Sequence, residues 1–137
     1  MNGKRILITE NHRQRLQALL QSARRLLPAE WPHLYQLQEE LENAIVMSAD
    51  SIPPQVVTIG RQVHIRDLEA GYHSQFRVVF PREADIRENR ISVLSPMGAS
   101  LIGAQAGDVV EVRAPRGPKW LRILNVLQPE TFSGKAA

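Results

Sequence analysis

No cysteine occurs among the 137 residues. Disulfides and thiolate metal sites are therefore excluded, and the composition suits a reducing cytoplasm. Aromatic residues make up only 5%, which leaves few rings to wall a ligand pocket. Long apolar runs are missing as well. Ile6-Leu7-Ile8 is too short for the apolar core of a secretory signal, and nothing approaches the roughly 20 consecutive apolar residues of a membrane span. A soluble, cytoplasmic protein without membrane association is the expectation. Enzyme signatures are absent too: there is no G-x-S-x-G elbow and no H-E-x-x-H pair, and Gly98, Gly103 and Gly107 lack the Lys-Ser/Thr step of a phosphate loop. His12, His33, His64 and His73 are scattered without metal-ligand spacing and read as surface or hydrogen-bonded core side chains. No catalytic residue, metal site or cofactor is assigned, and a non-enzymatic protein is expected.

Hydrophobic residues at 43% and charged residues at 23% are ordinary for a folded chain. The length supports one compact core, or a small core with an appendage. A net charge of +3 leans weakly toward acidic partners. Arg113, Arg116, Lys119 and Arg122 form a candidate basic patch. A solvated sheet face is its plainer reading, because Trp120 is the only stacking platform nearby. Direct sequence-specific nucleic-acid binding is not expected.

The first fifty residues read as helices. Thr9 or Asn11 can cap the first, and Asn11 with Gln14 has capping-box spacing. Leu16, Leu19, Leu20, Ala23, Leu26 and Leu27 then recur at helical steps until Pro28 stops them. A second stripe follows with Leu34, Leu37, Leu41, Ala44 and Ile45, near the period of a coiled-coil seam. The pattern predicts an antiparallel helical hairpin with Glu30 and Trp31 at its tip. Arg13, Arg15, Arg24 and Arg25 on the first helix and Glu39, Glu40 and Glu42 on the second can face each other across the seam. Trp31 either anchors a partner or staples the loop to Leu27 or Leu34.

Met47 to Gln55, with Pro53-Pro54, reads as a linker. The boundary between an N-terminal unit, 1–50, and a C-terminal domain, 51–137, is placed there. Strands are expected at Val56–Ile59, at Val63–Arg66, at Tyr72–Phe80, from Ile91, at Val109–Val112 and at Trp120–Val126. Arg82 to Arg90 reads as a polar loop with room for a helical turn. The densest stretch, Ile91 to Val112, packs a strand, a Pro96-started short helix ending at Gly103, a Gly107-Asp108 turn and a β-branched strand into one unit. The element order predicts an α+β fold: a helical hairpin, or short coiled coil, followed by a mostly antiparallel sheet with one short helix.

The run from Glu83 to Gly117, EADIRENRISVLSPMGASLIGAQAGDVVEVRAPRG, resembles the C-terminal domain of the bacterial Gre transcript-cleavage factors. Its acidic-Ala lead-in, Ser-Pro step, Leu-Ile-Gly helix end and Gly-Asp-Val-Val strand carry the likeness. The full layout, with a short hairpin and the entry at Pro54 to Gly60, is similar to a Gre-related group, the Rnk regulators of nucleoside diphosphate kinase. The resemblance implies an FKBP-like C-terminal domain that docks at the rim of the RNA polymerase secondary channel, with the coiled coil pointing inward. Leu94, Ser95 and Pro96 stand where an acid or Asn followed by Ser-Pro looks like a polymerase contact in Gre factors, and with Met97 they are the candidate polymerase-binding residues. Leu94 departs from that polar pattern. Ser95 and Pro96 also read as the N-cap and first residue of the helix, and the two roles are compatible.

Gre factors resemble this chain in topology but carry neighbouring carboxylates at the tip of a longer coiled coil, where they help hold a catalytic Mg²⁺. A hard divalent cation needs several oxygen ligands, and here the tip offers Glu30 alone. Glu39, Glu40, Glu42 and Asp50 lie far from it. An arm of about 25 Å with one acid argues against cleavage stimulation, and together with the docking that the resemblance implies the expectation is a monomeric polymerase-binding regulator that competes with Gre factors. A genuine cleavage factor and a dimerising coiled-coil module are the rival readings.

Overall fold

The computed structural model describes residues 5–26, 32–114 and 117–127. Leu7–Ile8 (β1) leads into the first helix, Glu10–Leu26 (α1). Thr9 caps that helix, its hydroxyl accepting from the His12 amide at 3.2 Å, and so satisfies a donor that a helix start otherwise orphans. Asn11 is not the cap: Gln14 donates to the Glu10 carboxylate at 2.7 Å and closes no capping box. The second helix, Pro32–Glu42 (α2), stops short of the Ile45 that apolar periodicity predicts. Ile45–Val46 instead forms a strand (β2) parallel to β1, with the Ile45 amide donating to Ile6 O at 2.9 Å and that of Met47 to Ile8 O at 3.0 Å. β-branched residues at a helix end give way easily to such pairing. Pro28 and the connection between the helices, with Glu30 and Trp31, lie outside the described residues.

Both helices bury their predicted apolar faces. Leu16, Leu20 and Ala23 of α1 and Leu34, Leu37 and Leu41 of α2 belong to one continuous cluster with Val57, Val63, Leu101 and Ile123 from the rest of the chain. Each buried leucine contributes about 2 kcal/mol. The helices therefore pack on each other and on the sheet instead of standing apart from it. Charge follows the same logic: Arg13 pairs with Glu10 of its own helix at 2.8 Å, and Arg15 lies over the Phe80 ring at 4.0 Å. Neither reaches across to the acids of α2, and the side chains of Arg24 and Arg25 lie outside what the structure describes.

The C-terminal part is a five-stranded sheet built from Gln62–Asp67 (β3), His73–Val79 (β4), Arg90–Ser92 (β5), Val109–Ala114 (β6) and Gly117–Leu127 (β7). One short helix, Pro96–Leu101 (α3), stands between β5 and β6 in the chain. The strand order is β5-β4-β3-β7-β6. Every pairing is antiparallel except β4–β5. The mixed α+β class is as the element order predicts. Two details differ. Val56–Ile59 is not a strand: Val56 makes one isolated bridge to Gln105, and the Val57 amide donates to Ala104 O at 2.8 Å. The polar segment after β4 holds two short 3-10 turns, Pro81–Glu83 and Ile86–Glu88. No helix among the described residues is long and apolar enough to cross a membrane.

The α1–Phe80 contact carries a pH signature. The His12 ring sits 5.6 Å from that of Phe80. Burial foremost, and then the charge of Arg15, hold its pKa below the usual imidazole value, while Glu83 opposes them. The unfolded chain therefore takes up a proton at His12 before the folded one does. This contribution to stability is complete above the unfolded value of about 6.5 and is lost as pH falls toward the lower folded value. Urea midpoints measured across this range should fall with pH in the wild type and fall less in His12→Gln. Equal slopes would rule His12 out as the source.

Candidate docking site

The residues expected to contact a partner form the start of α3. Ser95 is its N-cap, with its hydroxyl accepting from the Gly98 amide at 3.0 Å and donating to Ser92 O at 2.7 Å. Pro96 occupies the first turn, where its missing N–H costs nothing. The Ser92 hydroxyl accepts from the Leu94 amide at 3.0 Å, and Ser92 O also accepts from the Ser95 amide at 3.0 Å. Ser92 to Gly98 is thus a self-bonded knuckle with few free backbone groups. Leu94, Ser95, Pro96 and Met97 are all half-buried, and Leu94 and Met97 pack partly against the core. The structure brings these four residues together, and it leaves their outer surfaces open.

One participant escaped the sequence reading. His33 of α2 donates from Nε2 to Leu94 O at 2.9 Å, tying the helical segment to the knuckle. Nothing in the local sequence around His33 signals this, since the contact joins residues far apart in the chain. Beside it lies a groove of about 820 Å³ walled by α2 (His33, Gln36), by α3 (Ala99, Ser100) and by β6 (Glu111, Arg113). The β6 strand lies at the sheet edge. Of the basic positions, Lys119 pairs with Asp67 at 3.7 Å, while Arg113 and Arg122 are exposed and Arg116 lies outside the described residues. Among the described residues no group of three or more His, Cys, Asp or Glu side chains is placed to hold a metal ion.

A five-stranded mixed sheet that presents a Ser-Pro-capped short helix beside an edge groove defines a class of small α+β domain. Residues 52–128 match the family described as transcription elongation factor, GreA/GreB, C-terminal, and the chain belongs to that family. Among its relatives, the transcription elongation factor GreA of Thermotoga neapolitana is 38% identical over 93 residues, covering 68% of this chain and 59% of the relative. A GreA of Clostridium botulinum is likewise 38% identical over 93 residues, with 58% of its length covered. The chain thus spans less than two thirds of the curated relatives it matches. A solved structure described as a prokaryotic transcription elongation factor GreA/GreB from Nitrosomonas europaea is closer in extent: 30% identical, TM-score 0.74, with 90% of this chain and 98% of that one aligned.

Proposed function

We propose that the protein is a non-enzymatic, monomeric regulator of transcription that binds RNA polymerase through an FKBP-like C-terminal domain, 51–137. In this reading the Leu94–Met97 knuckle docks at the rim of the secondary channel, and 1–50 forms a short antiparallel hairpin. The protein then occupies the site of Gre factors without supplying their catalytic carboxylates, as a cytoplasmic member of the Rnk branch, the regulators of nucleoside diphosphate kinase. One observation carries the reading. The helices that correspond to the arm have only 17 and 11 residues, about 25 Å for the longer, and they are tied to the segments that follow β4 and β5 through Arg15 on Phe80 and His33 on Leu94. An arm held in this way is poorly placed to carry acids to a distant active site.

The identity to proteins named GreA favours a second reading, a transcript-cleavage factor. Addition of the protein to backtracked elongation complexes separates the two: the first reading expects no shortened RNA. Against core polymerase loaded with a Gre factor, excess protein should displace that factor. No displacement at any excess would remove the first reading. Ser95→Ala combined with Pro96→Ala should weaken polymerase binding by about tenfold, equivalent to ~1.4 kcal/mol. Loss of the cap itself costs about 1 kcal/mol of stability, so a thermal melt run alongside distinguishes a lost contact from a lost fold.

A further inference from the structure

We propose that the outer face of the five-stranded sheet binds single-stranded nucleic acid through its phosphate backbone, without sequence preference. The site does not include the knuckle residues, although Arg113 and Trp120 at its β6 end also wall the groove beside them. Strand register defines it: Val63, Ile65, Val78, Leu121, Ile123 and Val126 point into the core, so their neighbours along each strand face outward. On that outer face Arg66 of β3 stands directly opposite Arg122 of β7, with His73 of β4 opposite Arg66 on its other side. Arg77 of β4 likewise stands opposite Arg90 of β5. Arg113 extends the series on β6. Glu111, opposite Trp120, is the one acid that the strands present on this face among the described residues.

Two features point to a polyanion. The first is the apposition itself. Like charges directly opposite across a ladder are destabilising, yet two Arg–Arg pairs occur here with little to neutralise them. Arg90 is held by Asp85 at 4.0 Å and by Glu83 O at 2.9 Å, and among the described residues Arg122 donates to Gly107 O at 3.3 Å. Arg66 and Arg77 enter no ion pair among the described residues. Asp67, at the end of β3, is engaged by the Glu69 and Ala70 amides and by Lys119. A chain of phosphates set across these arginines would relieve the repulsion. The second feature is the rings interleaved with the cations. Trp120 is 47% exposed, and the rings of His64 and His73 meet edge-on at 6.0 Å. Exposed rings beside arginines form the stacking platform and electrostatic track that single strands require. An acidic protein partner would use the cations and leave the rings idle.

The test uses the full chain without polymerase, so its outcome is independent of the docking proposal. Anisotropy of a labelled oligouridylate of about 12 nucleotides is measured over salt from about 50 to 200 mM. Binding at low salt is expected, weakening steeply as salt rises. Arg66→Ala with Arg122→Ala should raise the dissociation constant about tenfold and lower the log–log salt slope by ~1.4, two phosphates at ~0.7 each. Trp120→Ala should weaken binding while leaving the slope unchanged, because stacking releases no counterions. All three side chains are exposed, so melting temperatures should hold, which keeps a binding loss interpretable. No binding by the wild type at low salt, or undiminished binding by the double variant, overturns the proposal. So does displacement by oligoglutamate as effective as by unlabelled RNA, which would assign the face to an acidic protein.

Discussion

Arg61→Met is expected to lower stability by about 3 kcal/mol and the melting temperature by about 10 °C or more, although it adds an apolar side chain to a buried site. Arg61 is 6% exposed. Its guanidinium donates from Nη1 to Pro53 O at 2.6 Å and Val56 O at 2.9 Å, and from Nη2 to Ile52 O at 3.1 Å. Burial pulls its pKa down from the ordinary arginine value, but a guanidinium does not lose its proton in a protein. The charge is therefore kept and solvated by carbonyl dipoles. The reason lies in the segment it holds. Ile52 to Val56 crosses from the helices to the sheet, and Pro53-Pro54 gives it no N–H groups there with which to join a ladder. Its carbonyls need a donor from elsewhere, and Arg61 serves three of them. Methionine would leave the buried pair, Ile52 O and Val56 O, unsatisfied at about 1 to 2 kcal/mol each. Arg61→Lys retains the charge but not the fork, and should recover only part of the loss. Urea unfolding measures the series. A methionine variant within about 2 °C of the wild type would show that water reaches those carbonyls.

The same segment illustrates what was legible in the sequence. Ser95, Pro96 and Gly103 signal the limits of α3 because capping, proline tolerance and left-handed glycine are local requirements; Gly103 indeed takes φ 91°. The leucine stripes of α1 and α2 are legible for a related reason, since a 3.6-residue period survives any tertiary arrangement. Val56-Val57-Thr58-Ile59 is different. A run of β-branched residues reads equally as a strand or as a buried extended segment. Here it is fixed by partners on several sides: Ala104 O accepts from the Val57 amide, Leu7 O from the Thr58 hydroxyl at 3.1 Å, and Val78 O from the Gly60 amide. No sheet edge holds it. The β1–β2 pair, the His33–Leu94 bond and the arginine rows of the outer face likewise depend on residues brought together from distant parts of the chain. Of the candidate site, the knuckle was legible from Ser-Pro alone, while the groove beside it and the histidine tying it to α2 were not.

Gly98→Ala should make the protein unfold more readily by about 3 kcal/mol, against the sign that helix propensity gives. In a solvent-exposed helix the change stabilises by about 1 kcal/mol. Gly98 lies within α3, but a Cβ at this position would meet Ser92 O at 2.1 Å, with Ser92 C at 3.0 Å and Val93 Cα at 3.1 Å. The obstacle is backbone on every side, so no rotamer change relieves it. Nor can Ser92 move freely. Its carbonyl accepts from both the amide and the hydroxyl of Ser95, and the next residue, Val93, donates to Val79 O at 2.8 Å. Relief must come from lifting α3 away from β5, which breaks the Ser95 cap and withdraws the fully buried Leu101 and Ile102. The close approach of helix to strand at Gly98 also fixes the geometry of the half-buried Leu94 to Met97 knuckle, so under the docking proposal the variant should lose polymerase binding at temperatures where its melt still shows native protein. Equilibrium unfolding decides the sign: a Gly98→Ala protein as stable as the wild type would mean that α3 shifts without cost, and the knuckle would then be an adaptable surface, not a rigid one.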